Sequence, residues 1–233
     1  MRKSRAENDV IDILLNISEE TGEINRTHIE HLCLDIFGGT TDTTSSSVEW
    51  AMAEFLRTPE TLEKAKAELE QNIGKGKPIE ESDIPQLPYL QAIVKESMRL
   101  HPPAPFLIPR TVETDVELYG YTIPQGAQVL VWAIGHDPSV WENRTSFMPE
   151  RFLDLDVDVR GRDFELIPFG AGRRICPGLS LAIRVVPLML GSVINSFDWK
   201  LEGGIKPEEL DMDDVFGITV QKAQPLRVVP FPV

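Results

Sequence analysis

Apolar positions along the chain fall into helix-spaced stretches separated by proline- and glycine-rich connectors, with short alternating runs in the second half. Val10, Ile11, Ile13, Leu14, Leu15 and Ile17 predict an amphipathic helix over 8–17, followed by a polar turn over 18–25. Thr27 then reads as the cap of a long helix reaching Arg57, with Ile29, Leu32, Cys33, Ile36 and Phe37 at helical spacing. Its middle, Gly38-Gly39-Thr40-Thr41-Asp42-Thr43-Thr44-Ser45-Ser46-Ser47, consists of poor helix formers, each costing roughly 0.5–1 kcal/mol against alanine. That run predicts a locally weak helix with a bend or a widened turn, and such a violation marks a place where function overrides propensity.

A helix over Pro59–Ile73 follows, with Glu60, Glu63, Lys64, Lys66, Glu68 and Glu70 giving it a charged outer face. After the connector 74–78, Pro85 to Pro88 introduce a helix over 89–100, on which Glu96 and Arg99 share one face. As an exposed pair, that spacing contributes only a few tenths of a kcal/mol. The prolines of His101-Pro102-Pro103-Ala104-Pro105-Phe106-Leu107-Ile108-Pro109-Arg110 forbid helix and leave an extended apolar strip. Residues 111–131 alternate as short strands, turning at Tyr119-Gly120 and Pro124-Gln125-Gly126. Phe164, Leu166 and Ile167 read as strand-like, 179–194 as a helix, and further strands are expected around Trp199, Ile218, Val220 and 226–229. The fold class is therefore mainly α with small β-sheets, at a length that suits one large domain or two small ones.

Composition narrows the function. The chain of 233 residues is 42% hydrophobic and 26% charged, as folded globular proteins are. A net charge of -14 argues against a nucleic-acid partner or a general anionic-membrane surface. Two distant cysteines, Cys33 and Cys176, make no disulfide framework and suit a reducing compartment. The charged start, Met1 to Glu7, has no signal-peptide core, and the apolar run 179–194 is interrupted by Arg184 and Pro187. No membrane span is expected in this chain, which reads as soluble.

The chemistry concentrates in Pro168-Phe169-Gly170-Ala171-Gly172-Arg173-Arg174-Ile175-Cys176-Pro177-Gly178. Gly170 and Gly172 permit the positive φ of a tight turn. Pro177 suits a first helical position. Sulfur at a helix N-terminus would face unpaired N–H donors and the positive end of the dipole. Such a sulfur can be a nucleophile, a zinc ligand or an axial ligand to haem iron. Zinc needs further Cys or His at ligand spacing, which Cys33 does not supply, and no base for a nucleophile is signalled nearby.

The pattern Phe169-x-x-Gly172-x-Arg174-x-Cys176-x-Gly178 resembles the haem-binding loop of the cytochrome P450 monooxygenases. Asp42-Thr43-Thr44, Glu96-Ser97-Met98-Arg99 and Pro149-Glu150-Arg151-Phe152 match the same family in order and spacing. Local phrases such as "ESDIPQLPYLQAIVKESMRLHPPAPFLIPR" resemble the plant terpenoid hydroxylases of the geraniol 8-hydroxylase type. The resemblance implies the C-terminal portion of that fold, with the N-terminal half and membrane anchor absent. It implies haem b held through Cys176, with Phe169, Gly172, Arg174, Gly178 and Arg110 as cofactor-binding residues. Asp42 and Thr43 would carry protons, and Glu96, Arg99 and Arg151 would form a buried charge network. Ala104, Phe106, Leu107, Ile108, Phe216 and Ile218 would face a small hydrophobic, terpenoid substrate. O2 would be the oxidant, and electrons would come from NADPH through cytochrome P450 reductase at the cytosolic face of the endoplasmic reticulum. Thr40 stands where the family carries glycine two residues before the distal aspartate. The alternative is a truncated, non-catalytic remnant that binds haem weakly or not at all.

Overall fold

The computed structural model describes residues 9–133, 135–217 and 219–232. They form two compact units, one to Asp42 and one from Thr43. The first holds α1 (Val10–Thr21) and the beginning of α2 (Arg26–Arg57). Asp9 caps α1 by accepting the amide of Asp12 at 2.9 Å, and Gly22, at φ 65°, ends it by donating to Ser18 O at 3.2 Å. The helix thus extends four residues into the expected polar turn and stops where Gly22 adopts the left-handed conformation. Asn25, rather than Thr27, caps α2: its side chain accepts the amide of His28 at 3.0 Å, while His28 Nδ1 accepts the amide of Asn25 at 3.3 Å.

No turn of α2 widens across the glycine- and threonine-rich run. Thr40 and Thr41 donate their hydroxyls to Ile36 O and Phe37 O at 2.7 and 2.8 Å, and Ser47 donates to Thr43 O at 2.8 Å. Each hydroxyl satisfies itself on the carbonyl one turn earlier, so the sequence weakens the helix without interrupting it.

In the second unit, the later part of α2 packs with α3 (Pro59–Asn72), α4 (Pro88–Leu100) and α5 (Leu179–Ser196). Ala51, Phe55, Leu69, Leu90, Ile93, Val186, Leu190 and Ile194 fill their shared core. Pro88 at the first position of α4 leaves the next amides free, and Glu68 of α3 caps them. Its two oxygens accept Tyr89 and Leu90 N–H at 2.7 and 2.9 Å. α5 is long and apolar enough to cross a membrane by length and composition alone, but its apolar side is committed to this core.

A second cluster, Ala92, Trp141, Phe152, Val159 and Leu166, lies beneath the irregular segment that follows the strands. The strands make four antiparallel pairs. β1 (Arg110–Thr111) pairs with β4 (Gln128–Val129), and β2 (Val116–Leu118) with β3 (Tyr121–Ile123). β5 (Phe197–Leu201) pairs with β8 (Val228–Pro232), and β6 (Asp214–Phe216) with β7 (Val220–Lys222). The run 164–167 is not a strand. Leu166 and Ile167 are buried, but Leu166 N–H closes a turn on Asp163 O and Gly170 N–H closes another on Ile167 O.

Candidate functional site

The cysteine loop is built from its glycines outward. Gly170 and Gly172 sit at φ 73° and 66°, and Cys176 N–H donates to Phe169 O at 2.9 Å, folding 169–176 into a closed bow. The fold leaves Cys176 exposed. α5 begins at Leu179 with Gly178 as its cap residue, so Pro177 stands ahead of the helix and not at its first position. The first amides of α5 close on Gly178 O and Cys176 O instead, at 2.9–3.3 Å. A side chain on Gly178 would begin 3.7 Å from Cys176 Sγ, so glycine keeps that approach bare.

Two segments back the loop. Gly161, at φ 76°, passes under Gly170 so closely that only a glycine fits. Leu107 comes from the other side, its Cδ1 3.5 Å from where a Gly170 Cβ would lie, which brings the apolar strip onto the cysteine loop. Leu107 itself has φ 51°, a strained value for a branched side chain, held by a turn onto Ala104 O at 3.0 Å. The strip is further tied by Val131 N–H to Phe106 O (3.3 Å), Ala133 N–H to Pro105 O (2.7 Å) and Val220 N–H to Pro103 O (2.8 Å). The Phe106 ring meets Trp132 edge-on at 5.0 Å and Phe216, on the β6–β7 hairpin, at 5.8 Å. Ala104 is half-buried, Ile108 is exposed, and Ile218 lies outside the described residues. Arg110 is half-buried on β1, and Arg174 is exposed beside the cysteine. Asp42 and Thr43 are consecutive on α2, Asp42 exposed and Thr43 half-buried.

Glu96, Arg99 and Arg151 meet in the interior. Arg99 clasps Glu96 with both Nε and Nη2 at 2.7 and 2.8 Å, and Arg151 Nε reaches the same carboxylate at 3.1 Å. Glu96 and Arg99 are fully buried, so the surface pair suggested by their spacing is in fact an interior one. The remaining donors of Arg99 go to the carbonyls of Gly135, Arg144 and Ser146 at 2.6, 2.7 and 3.2 Å, and Glu96 also accepts Met148 N–H at 2.8 Å. Trp141 lies 5.4 Å from the Arg99 guanidinium. Gly135 leaves room for the arginine, since a Cβ there would fall 2.3 Å from Arg99 Cγ. Burial, reinforced by Arg99, pushes the pKa of neighbouring His136 down.

Other residues at the site carry no motif. Glu54 on α2 faces His101, with Oε1 to Nε2 at 2.7 Å, and the His101 ring stacks on Trp50 at 4.0 Å. Lys222 is buried beside the same indole. The available signal was a lone carboxylate inside the apolar run Ala51-Met52-Ala53-Glu54-Phe55-Leu56. A carboxylate in such a run needs a buried partner.

The sequence profile of the cytochrome P450 family matches residues 1–227. This chain belongs to the cytochrome P450 family. It is 62% identical to geraniol 8-hydroxylase of Catharanthus roseus, over 98% of this chain and 47% of that protein. Against geraniol 8-hydroxylase of Swertia mussotii the identity is 59%, over 100% and 48%. Among solved structures, a zebra fish cytochrome P450 with abiraterone superposes at a TM-score of 0.84 with 33% identity, covering 97% of this chain and 53% of that one. The chain spans about half the length of the curated relatives it matches.

The donor set fits the family's haem. Among the described residues no three His, Cys, Asp or Glu side chains stand close enough to hold a bare metal ion. A single exposed thiol suits an iron that brings four ligands of its own in a porphyrin. The bare face of Gly178 beside Sγ leaves room for a flat macrocycle, and Arg174, exposed on the same loop, is a cation of the kind that carboxylate side arms pair with.

Proposed function

We propose that this chain is the haem-thiolate portion of a cytochrome P450 domain that, as a whole, hydroxylates a small hydrophobic, terpenoid substrate. The observation that carries the reading is an exposed cysteine at the end of a glycine bow, with bare glycine backbone beside its sulfur. Haem b, when bound, supplies one-electron and O2 chemistry, with electrons delivered from NADPH through cytochrome P450 reductase. Cys176 would be the thiolate that holds the haem iron. The Phe169 carbonyl fixes the cysteine amide, and the Phe169 ring packs against both core clusters, so the sulfur is held by a rigid base. Gly172 gives the bow its second left-handed turn, and Arg174 and Arg110 would hold the propionates through charge-assisted hydrogen bonds. Asp42 and Thr43 pass a proton inward, the carboxylate collecting it and the hydroxyl handing it on. Ala104, Phe106, Leu107, Ile108, Phe216 and Ile218 give the substrate an apolar wall with few polar anchors, as a terpenoid needs. The name geraniol 8-hydroxylase, borne by two plant relatives, supports that substrate class, and the family resemblance supports placement at the endoplasmic reticulum.

Leu34 and Phe37, 68% and 71% exposed on α2, favour a second reading, in which the chain is a partial domain that binds haem weakly or not at all. The absorption spectrum of the reduced, carbon-monoxide-bound, haem-reconstituted chain decides between them. A strongly red-shifted Soret band that disappears in Cys176→Ser supports the haem-thiolate reading. A band at the position of a neutral ligand, unchanged by that substitution, overturns it, and no haem uptake selects the partial domain.

A further inference from the structure

Trp50 is 1% exposed, and its Nε1 has no hydrogen-bond partner among the described residues. Two basic side chains from different parts of the chain come to its ring. His101, the residue that ends α4 and begins the apolar strip, stacks on it with an interplanar angle of 3°. Lys222, the last residue of β7, places Nζ 4.8 Å from the ring centroid. Glu54, one turn along α2 from Trp50, holds the His101 ring by its far nitrogen. Around them further hydrogen bonds tie α2, the strip and the C-terminal strands together. Ser46 of α2 donates to Val220 O at 2.8 Å, Val220 N–H donates to Pro103 O, and Glu49 accepts Leu226 N–H at 2.7 Å.

Burying Lys222 is costly. Its ammonium is taken out of water with one carbonyl acceptor, Asp211 O, and burial lowers its pKa against the opposing pull of Asp211, Glu49, Glu54 and Asp213. A methionine of the same length would fill the space without that penalty. What the lysine adds is a directional hold on the indole. The hairpin it anchors carries Phe216, and the strip that His101 anchors carries Phe106. Those rings meet edge-on in the apolar wall, their centroids 5.8 Å apart.

We propose that Trp50 sets the gauge of the apolar site. His101 and Lys222 are positioning residues that hold the strip and the hairpin to one indole, fixing the edge-on Phe106–Phe216 contact and so the shape of the apolar wall offered to a hydrophobic molecule. This rests on reading those two phenylalanines as substrate-facing.

Hydrogen exchange of the full chain tests it, by comparing wild type with Lys222→Met and with Glu54→Gln, which removes a charge at constant volume. Coupling through the indole predicts effects across elements. Lys222→Met speeds exchange about tenfold at the Val131 and Ala133 amides, which bond the strip and which Lys222 does not touch. Glu54→Gln does the same at Val220 and Gly217 of the hairpin. Amides within α4 stay protected in both. Exchange that rises only in the mutated residue's own segment overturns the proposal. Because the readout needs neither haem nor turnover, its failure is separate from failure of the haem-thiolate reading, which the carbon-monoxide spectrum tests.

Discussion

Gly161 passes so close to Gly170 that a Cβ on the former would lie 2.7 Å from the carbonyl oxygen of the latter. The approach locks the base of the cysteine bow without a single side chain. Gly161→Ala therefore incurs a left-handed strain of about 1–2 kcal/mol and an overpacking penalty of about 1–3 kcal/mol. The expected loss is about 2–5 kcal/mol in urea unfolding. Gly203→Ala is the control: φ there is 72° but nothing lies within 4 Å, so it loses the strain alone.

Removing one member of the interior charge network leaves its partners buried and uncompensated. Glu96→Ala strands two guanidinium groups and the Met148 amide, and a loss of about 3–5 kcal/mol is expected. Arg151→Met costs less, because Glu96 keeps both bonds from Arg99. The two unfolding midpoints should fall in that order.

Arg174 is exposed, so its replacement tests a ligand contact with little risk to the fold. Arg174→Ala should leave the thermal melt of the free chain unchanged and weaken haem uptake roughly three- to tenfold, the worth of a partly exposed charge-assisted hydrogen bond. Haem titration followed at the Soret band measures it.

Tyr89 donates its phenol to Glu150 at 2.9 Å, and Lys64 reaches the same oxygen at 2.6 Å. Burial, then the Glu150 carboxylate, raises the Tyr89 pKa above its ordinary value of 10.0. The folded state thus holds the phenolic proton after the unfolded chain has released it. The corresponding stability is fully present below pH 10 and is lost as pH rises from there toward the folded value. In Tyr89→Phe that slope vanishes. Urea unfolding of both proteins between pH 8 and pH 11 should show the wild type losing its advantage only above about pH 10.

The helices were legible because their apolar residues repeat at helical spacing over a dozen positions or more, and the proline strip because ring closure forbids any alternative. Local chemistry misled where two rules competed. Thr27 and Asn25 both suit a cap, and only the reciprocal bond with His28 decides for Asn25. Pro177 fits a first helical turn, but Gly178 caps one residue later. Leu166 and Ile167 are apolar because they are buried, and turns bury them as well as a strand would. The depth of Glu96 and Arg99 could not be read from their spacing, because burial comes from residues 135–151 wrapping over α4. Nor could the Trp50 cluster, whose members come from α2, the end of α4 and β7 and meet only through tertiary packing.

Arg99 and Arg151 grip the segment from Gly135 to Ser146 almost wholly by its carbonyl oxygens, those of Gly135, Glu142, Asn143, Arg144 and Ser146. Carbonyls are the same whatever residue bears them. The path of this irregular stretch is thus encoded largely by two arginines outside it, and, apart from Gly135 and the buried Trp141, many of its own letters are free to drift. A library randomised at Ser139, Val140, Glu142 and Thr145 should return mostly folded members, whereas one randomised at position 99 alone should return almost none.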